Sequence, residues 1–155
     1  MPKHVLAKLE AELKDLKHAL LVEIPKEIAS AASQGDLSEN AEYEQALSKR
    51  DMFQAKVVAM EKRIAEIASL DITRLPKDKV AYGTRVTLLD LDSEKEVTYR
   101  LVLPEELGNA SDLLSISSPI GMALVGLEEG AEVRIKIPAG TKRFEVIELT
   151  TIHNQ

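Results

Sequence analysis

The 155-residue sequence predicts an α+β protein: an N-terminal antiparallel α-helical coiled-coil hairpin, then a C-terminal β-sheet domain with one short helix. Three observations predict it. Leu6, Leu9, Leu13, Leu16 and Leu20 step alternately by 3 and 4, the spacing of a coiled-coil seam. Phe53, Val57, Met60, Ile64 and Ile67 form a second seam with steps of the same size. Beyond Leu75 the apolar period drops to two, the repeat of half-buried strands.

In the first helix, expected over residues 5–32, Ile24 and Ile28 carry the stripe towards Ala31 and Ala32. Pro25 falls inside it, removing one backbone donor, and is expected to bend its path. The break is Ser33-Gln34-Gly35-Asp36-Leu37-Ser38, where Gly35 suits a helix C-terminus because it takes positive φ without a Cβ clash. So short a connection favours antiparallel neighbours. Ala46 and Arg50 take the seam positions of the second helix nearest the break, so the seam thins there.

The coiled-coil domain is expected over 1–73, with a polar, proline-containing linker at 74–79 and the second domain over 80–155. In the latter, Val86 and Leu88 alternate with polar neighbours, as do Val97, Tyr99 and Leu101. The same holds for Val133, Ile135 and Ile137, and for Phe144 and Val146. Asp112–Ile116 is a weaker strand candidate, and Pro119 can open a short helix running to Leu124. Five strands and one helix in about 80 residues make a small α+β domain near the lower size limit for independent folding.

Composition narrows the function classes. With 45% hydrophobic residues the chain is too apolar for a disordered tail, and with 3% aromatics it is too poor in rings for a nucleic-acid stacking platform. Cysteine is absent, which excludes disulfide frameworks, Cys-based zinc sites and thiol nucleophiles. No apolar run approaches the roughly 18 residues that span a bilayer. Residues 1–8 do not read as a signal peptide, so a cytoplasmic protein is expected.

The net charge is -6, divided as -2 over residues 1–75 and -4 over residues 76–155, so neither half reads as a general nucleic-acid binder. From Glu27 to Ser48, however, there are five acids (Glu27, Asp36, Glu39, Glu42, Glu44) and no Lys or Arg. Glu42 and Glu44 fit the positive N-terminal end of the second helix. Asp36 and Glu39 admit two readings. Asp-x-x-Glu is a capping-box pattern, and spacing alone favours that structural role. The same two carboxylates, one turn apart at the end of a long arm, could instead converge on a hard cation. Mg²⁺ commonly takes one or two carboxylates and completes its shell with phosphates and water. Another macromolecule would then have to supply those remaining ligands. His4, His18 and His153 are scattered and form no base or metal cluster.

Gly35-Asp36-Leu37-Ser38-Glu39-Asn40-Ala41-Glu42-Tyr43 resembles the tip signature of the bacterial Gre transcript cleavage factors. Lys8–Leu16 resembles the family's first helix, and Pro25 sits where the family also has a proline. Ser117-Ser118-Pro119-Ile120-Gly121-Met122-Ala123-Leu124-Val125-Gly126 resembles its C-terminal signature, and Gly130, Val133 and Pro138-Ala139-Gly140 follow in order. The resemblance implies a coiled coil joined to an FKBP-like C-terminal domain. It implies a monomeric elongation factor, with no membrane association, acting on RNA polymerase and the RNA 3′ end of a backtracked complex. The coiled coil would enter the polymerase secondary channel. Asp36 and Glu39 would be the catalytic, metal-coordinating pair, sharing Mg²⁺ with the polymerase, while the chain has no cofactor of its own and is not itself an enzyme. Gly35, Leu37, Ser38, Asn40 and Tyr43 would shape the tip, and Ser118, Pro119, Ile120 and Gly121 would dock on the polymerase. The resemblance also implies DNA binding.

The chain departs from the family pattern in places. It begins almost at the first helix, and Ala32 and Leu47 replace the usual basic residues beside the tip, although Lys49 and Arg50 lie near. Met122 replaces another. Fewer basic groups imply weaker contact with the extruded RNA backbone. The alternative is a secondary-channel regulator of polymerase without cleavage stimulation. Two further readings are a peptidyl-prolyl isomerase, for which Tyr82, Tyr99 and Phe144 supply few rings, and a structural coiled-coil adaptor.

Overall fold

The computed structural model describes residues 2–33 and 40–155, and the chain divides into two units, Met1–Leu70 and Asp71–Gln155. No helix among the described residues is long and apolar enough to cross a membrane.

The first unit is the expected helical hairpin. α1 spans Lys3–His18, α2 Ile24–Ala32 and α3 Asn40–Ala68. Leu6, Leu9, Ile24 and Ala31 are buried on the first arm, and Ala46, Val57 and Ile67 on the second. Two ion pairs give the direction of the arms: Lys17 meets Glu61 at 3.4 Å and Glu27 meets Lys49 at 3.0 Å. Residue numbers rise along one arm as their partners' fall along the other, so the arms are antiparallel.

Between α1 and α2 lies a π-helical turn, Ala19–Glu23, in which the Ile24 amide donates to the Ala19 carbonyl five residues back. Proline explains its place. Within an α-helix the Pro25 ring would press on the Leu21 carbonyl and leave it without a donor, and widening the preceding turn relieves that contact. The widened turn also corrects the seam. A strict continuation from Leu20 would put apolar residues at 23, 27 and 30, whereas the chain has Ile24, Ile28 and Ala31, each one residue late. A π-turn absorbs one residue, so Ile24 still reaches the interior and is fully buried. Just before Pro25 the chain thus makes a one-residue register correction. Leu21, left outside, is 72% exposed.

The second unit is a five-stranded sheet. β1 spans Arg85–Asp90, β2 Glu96–Val102, β3 Leu113–Ser115, β4 Glu132–Ile137 and β5 Gly140–Thr150, in the order β3-β2-β1-β5-β4. All neighbours are antiparallel except β2 and β3, which run parallel with Leu101 opposite Leu114. The period-two residues face one side: Val86, Leu88, Leu101, Ile135, Phe144 and Val146 form the core with Val80. α4, Pro119–Leu124, closes that face through Leu124, which is fully buried. Opposite β1, the register of β5 slips between Glu148 and Val146, leaving Ile147 as a bulge.

A 3₁₀ turn, Ile72–Arg74, leads into the polar stretch read as a linker and is capped by Asp71, whose carboxylate accepts from the Thr73 amide at 3.0 Å and hydroxyl at 2.6 Å. The C-terminus returns to this region. His153 Nε2 donates to the Leu75 carbonyl at 2.8 Å, and the Gln155 amide donates to the Gly83 carbonyl at 2.6 Å. Gly83 has φ +81°, and a Cβ there would come within 2.7 Å of the Ile152 side chain, so the turn into β1 needs glycine for both reasons.

Candidate functional site

Asp36 and Glu39 lie outside the described residues, as do Gly35, Leu37 and Ser38 and the side chain of Asn40. The structure does describe the two helical ends that hold this segment. On the α2 side, the Ser33 hydroxyl donates to the Ser30 carbonyl at 2.8 Å and the Ser33 amide to Ala29 at 3.1 Å, which ends the helix with its last carbonyls partly satisfied. On the α3 side, Tyr43 is half-buried in the first turns, whereas Glu42 and Glu44 are exposed.

Behind these ends the arms pack through small side chains. Ala31 and Ala46 are both buried, and an alanine on each arm lets the backbones approach closely. Beside them is an open groove of about 470 Å³, lined by Lys26, Glu27, Ser30, Glu42, Gln45 and Lys49. The Lys49 ammonium donates to both oxygens of Glu27, at 3.0 and 3.2 Å, and lies 5.8 Å from the centre of the Phe53 ring. Lys56 approaches the same ring at 5.4 Å. Arg50, on the thin part of the seam, donates to Asp51 at 3.3 Å. At the positions without the usual basic residue, Ala32 is exposed and Leu47 half-buried.

Sequence reading did not anticipate the Glu27–Lys49 pair. Its only signal was opposite charge at positions flanking the two seams, where coiled coils commonly pair charges across helices. The pair places an oriented cation two turns into α3 from the acidic segment.

Among the described residues, no three or more His, Asp or Glu side chains gather to hold a metal. Asp36 and Glu39, the carboxylates that the sequence singles out for a cation, lie outside the described residues. Those donors suit Mg²⁺ chemically and are too few to complete its shell, so they fit a shared ion.

The C-terminal motif is described in full. The Ser118 hydroxyl accepts from the Gly121 amide at 3.0 Å, capping α4, and donates to the Ser115 carbonyl at 2.7 Å. Pro119 follows at the first helical position. Gly121 is buried against the end of β3, where a Cβ would overlap the Ser115 carbonyl oxygen. Ile120 packs on the core. These contacts give Ser118 and Gly121 local structural roles, and the same helix presents Pro119 and Met122 to solvent, with Met122 62% exposed.

A second polar clip stabilises the loop after β2. The Tyr82 hydroxyl donates to Glu106 at 2.9 Å, and the same carboxylate oxygen accepts from the Leu103 amide at 3.1 Å. Burial, reinforced by the hydrogen bond to Glu106, pushes the Tyr82 hydroxyl well above the ordinary phenol range.

Comparison with known proteins agrees with both halves. Residues 1–68 match the family model described as the N-terminal part of a transcription elongation factor, and residues 75–151 match the GreA/GreB C-terminal model. The chain is 40% identical over 143 residues to a protein named transcription elongation factor GreA from Trichlorobacter lovleyi, covering 90% of each. It is 42% identical over 142 residues to a GreA from Rickettsia canadensis, covering 92% of this chain and 88% of that one. Among solved structures, a prokaryotic GreA/GreB elongation factor from Nitrosomonas europaea aligns with TM-score 0.44 and 28% identity, over 59% of this chain and 78% of that one. Both domains are matched, in order and over nearly the whole chain, and the protein belongs to the GreA/GreB family of transcription elongation factors.

Proposed function

We propose that this protein stimulates the cleavage of backtracked RNA by RNA polymerase, inserting its helical hairpin through the secondary channel so that arrested complexes resume elongation. The observation that carries this reading is the position of Asp36 and Glu39: they join two arms zipped by the seam and by the Glu27–Lys49 and Lys17–Glu61 pairs. A stiff hairpin can carry two carboxylates into another enzyme's active site and hold them there. Most of the ordering cost is met on folding rather than on binding.

In this reading Asp36 and Glu39 hold part of the shell of a Mg²⁺ ion, with the polymerase and RNA supplying the rest. Such an ion offsets the negative charge that builds on the phosphate during hydrolysis. The chain contributes position and charge and no complete active site, so it acts as an accessory factor. The second domain docks outside the channel through the surface around Ser118–Gly121. Partnership with RNA polymerase and a place in the cytoplasm follow from this reading.

The test is a stalled, backtracked elongation complex with its cognate polymerase. Wild-type protein shortens the RNA from its 3′ end and restores elongation. Asp36→Ala and Glu39→Ala lower the cleavage rate by at least about a hundredfold, on the scale of losing an electrostatic catalytic group, and retain polymerase binding. If the double variant cleaves at the wild-type rate, the assignment fails. If wild-type protein binds polymerase without cleavage, the protein is a channel regulator instead.

A further inference from the structure

Arg85 and Arg100 stand directly opposite each other across the β1–β2 ladder. Both are exposed, on the side of the sheet away from Val86 and Leu101. Like charges in this position destabilise a sheet. Surface arginines often find a carboxylate, yet among the described residues neither guanidinium has a hydrogen bond or an ion pair. They open onto a cavity of about 350 Å³, whose other walls are Thr98, Tyr99, Asp112 and Leu113.

Strand pairing fixes this arrangement. β2 is hydrogen-bonded on both sides, to β1 and to the parallel β3, and the Arg100 amide donates to the Asp112 carbonyl at 2.9 Å. Asp112 is the one carboxylate in the lining, where two guanidiniums outnumber it.

We propose that the Arg85–Arg100 pair is a docking point for one carboxylate, an Asp or Glu side chain, on a protein partner. Resting on the function proposed above, that partner is RNA polymerase. A forked guanidinium pairs with a carboxylate through two parallel hydrogen bonds, and two guanidiniums lining one cavity favour a planar anion. A nucleic-acid backbone is a poorer match. Residues 71–155 carry 10 Lys and Arg against 14 Asp and Glu, which repels a continuous run of phosphates, and one positive spot offers no track for them. The surface is separate from the Ser118–Gly121 motif and would give the second domain an electrostatic contact besides it.

The experiment measures binding of the full-length protein to cognate core RNA polymerase over a salt series, for wild type, Arg85→Gln, Arg100→Gln, the double variant and Asp112→Asn. The double variant is expected to bind about tenfold more weakly at low salt and to lose part of the salt dependence, as for a rim charge contact. Asp112→Asn, which removes the competing carboxylate, is expected to bind more tightly. Melting temperatures of the arginine variants stay level or rise, because the like-charge contact is gone, and this separates lost docking from lost fold. Wild-type affinity and salt dependence in the double variant overturn the proposal. So does a loss seen only on complexes containing RNA and DNA, which would mean a phosphate site. If wild-type protein fails to bind polymerase at all, the functional reading falls, a result distinct from equal binding by all variants.

Discussion

The Lys49 ammonium bridges both carboxylate oxygens of Glu27 on the facing arm, at 3.0 and 3.2 Å, while resting over the Phe53 ring. One contact ties α2 to α3 and the other orients the lysine along its own helix. Both partners remain close to half exposed, so the pair is worth no more than about 1 kcal/mol. Glu27→Gln should accordingly shift urea unfolding by less than about 1 kcal/mol. A loss of several kcal/mol would mean that the pair carries the hairpin's stability, against this assignment.

The π-turn makes a prediction about chain length. Deleting Val22 together with Pro25→Ala removes both the extra residue and the ring that widens the turn. Ile24, Ile28 and Ala31 then fall where a continuous α-helix needs them. The variant should keep its far-UV helical signal and cooperative melting. Deleting Ala7 instead moves Leu6 out of step with the rest of the seam and should lower the melting temperature. Equal damage from both deletions would refute the register argument.

Gly121 is a packing requirement. A methyl group there meets the Ser115 carbonyl oxygen, part of the backbone at the end of β3, which cannot swing aside as a flexible side chain could. Gly121→Ala should destabilise the protein by about 2–3 kcal/mol in chemical denaturation. Gly108→Ala is the control. Nothing lies within 4 Å of that position, and only its positive φ of +52° resists substitution, so about 1 kcal/mol is expected.

Tyr82 sets an alkaline limit. Its folded-state hydroxyl holds its proton more tightly than the unfolded chain, whose phenols titrate near pH 10. The unfolded state therefore binds fewer protons above about pH 10, and stability falls as pH rises from there. Below that value the contribution is fully present. Tyr82→Phe should cost about 1 kcal/mol at neutral pH, because Glu106 loses a donor, and should flatten the decline above pH 10. An unchanged alkaline limb, measured by urea midpoints from pH 8 to 11, would refute the role given to Tyr82.

The hairpin was legible because burial writes a repeat into the chain. Val57 and Ile67, buried, and Phe53, Met60 and Ile64, half-buried, keep coiled-coil spacing on an arm that also exposes Met52 and Val58. The strands were legible for the same reason: Val86 and Leu88 alternate with outward Arg85 and Thr87. The π-turn was harder to see. A seam residue arriving one position late can be read as an ordinary helical step, and only the backbone hydrogen bond from Ile24 to Ala19 shows how the chain absorbs it. The parallel pairing of β3 was also hidden, since three short residues carry too little pattern to choose a neighbour or a direction.

The candidate site divides along similar lines. Asp36 and Glu39 are sequence findings, carried by a nine-residue motif and its place between two helices, and they lie outside the described residues. Pro119 was legible as a helix start, whereas the Ser118 cap and the reason for Gly121 were not. Its neighbour, the Ser115 carbonyl, is set by where β3 ends.

The sequence by itself determined the two domains, the faces of their helices and strands, the family and the acidic pair, because each is written in local periodicity or a contiguous motif. Only the tertiary structure decided which distant groups meet: Glu27 with Lys49, Tyr82 with Glu106, and Arg85 with Arg100. The physical reason is register. Where one element settles against another depends on summed packing along the whole contact, and a shift of one residue would assign every side chain a different partner.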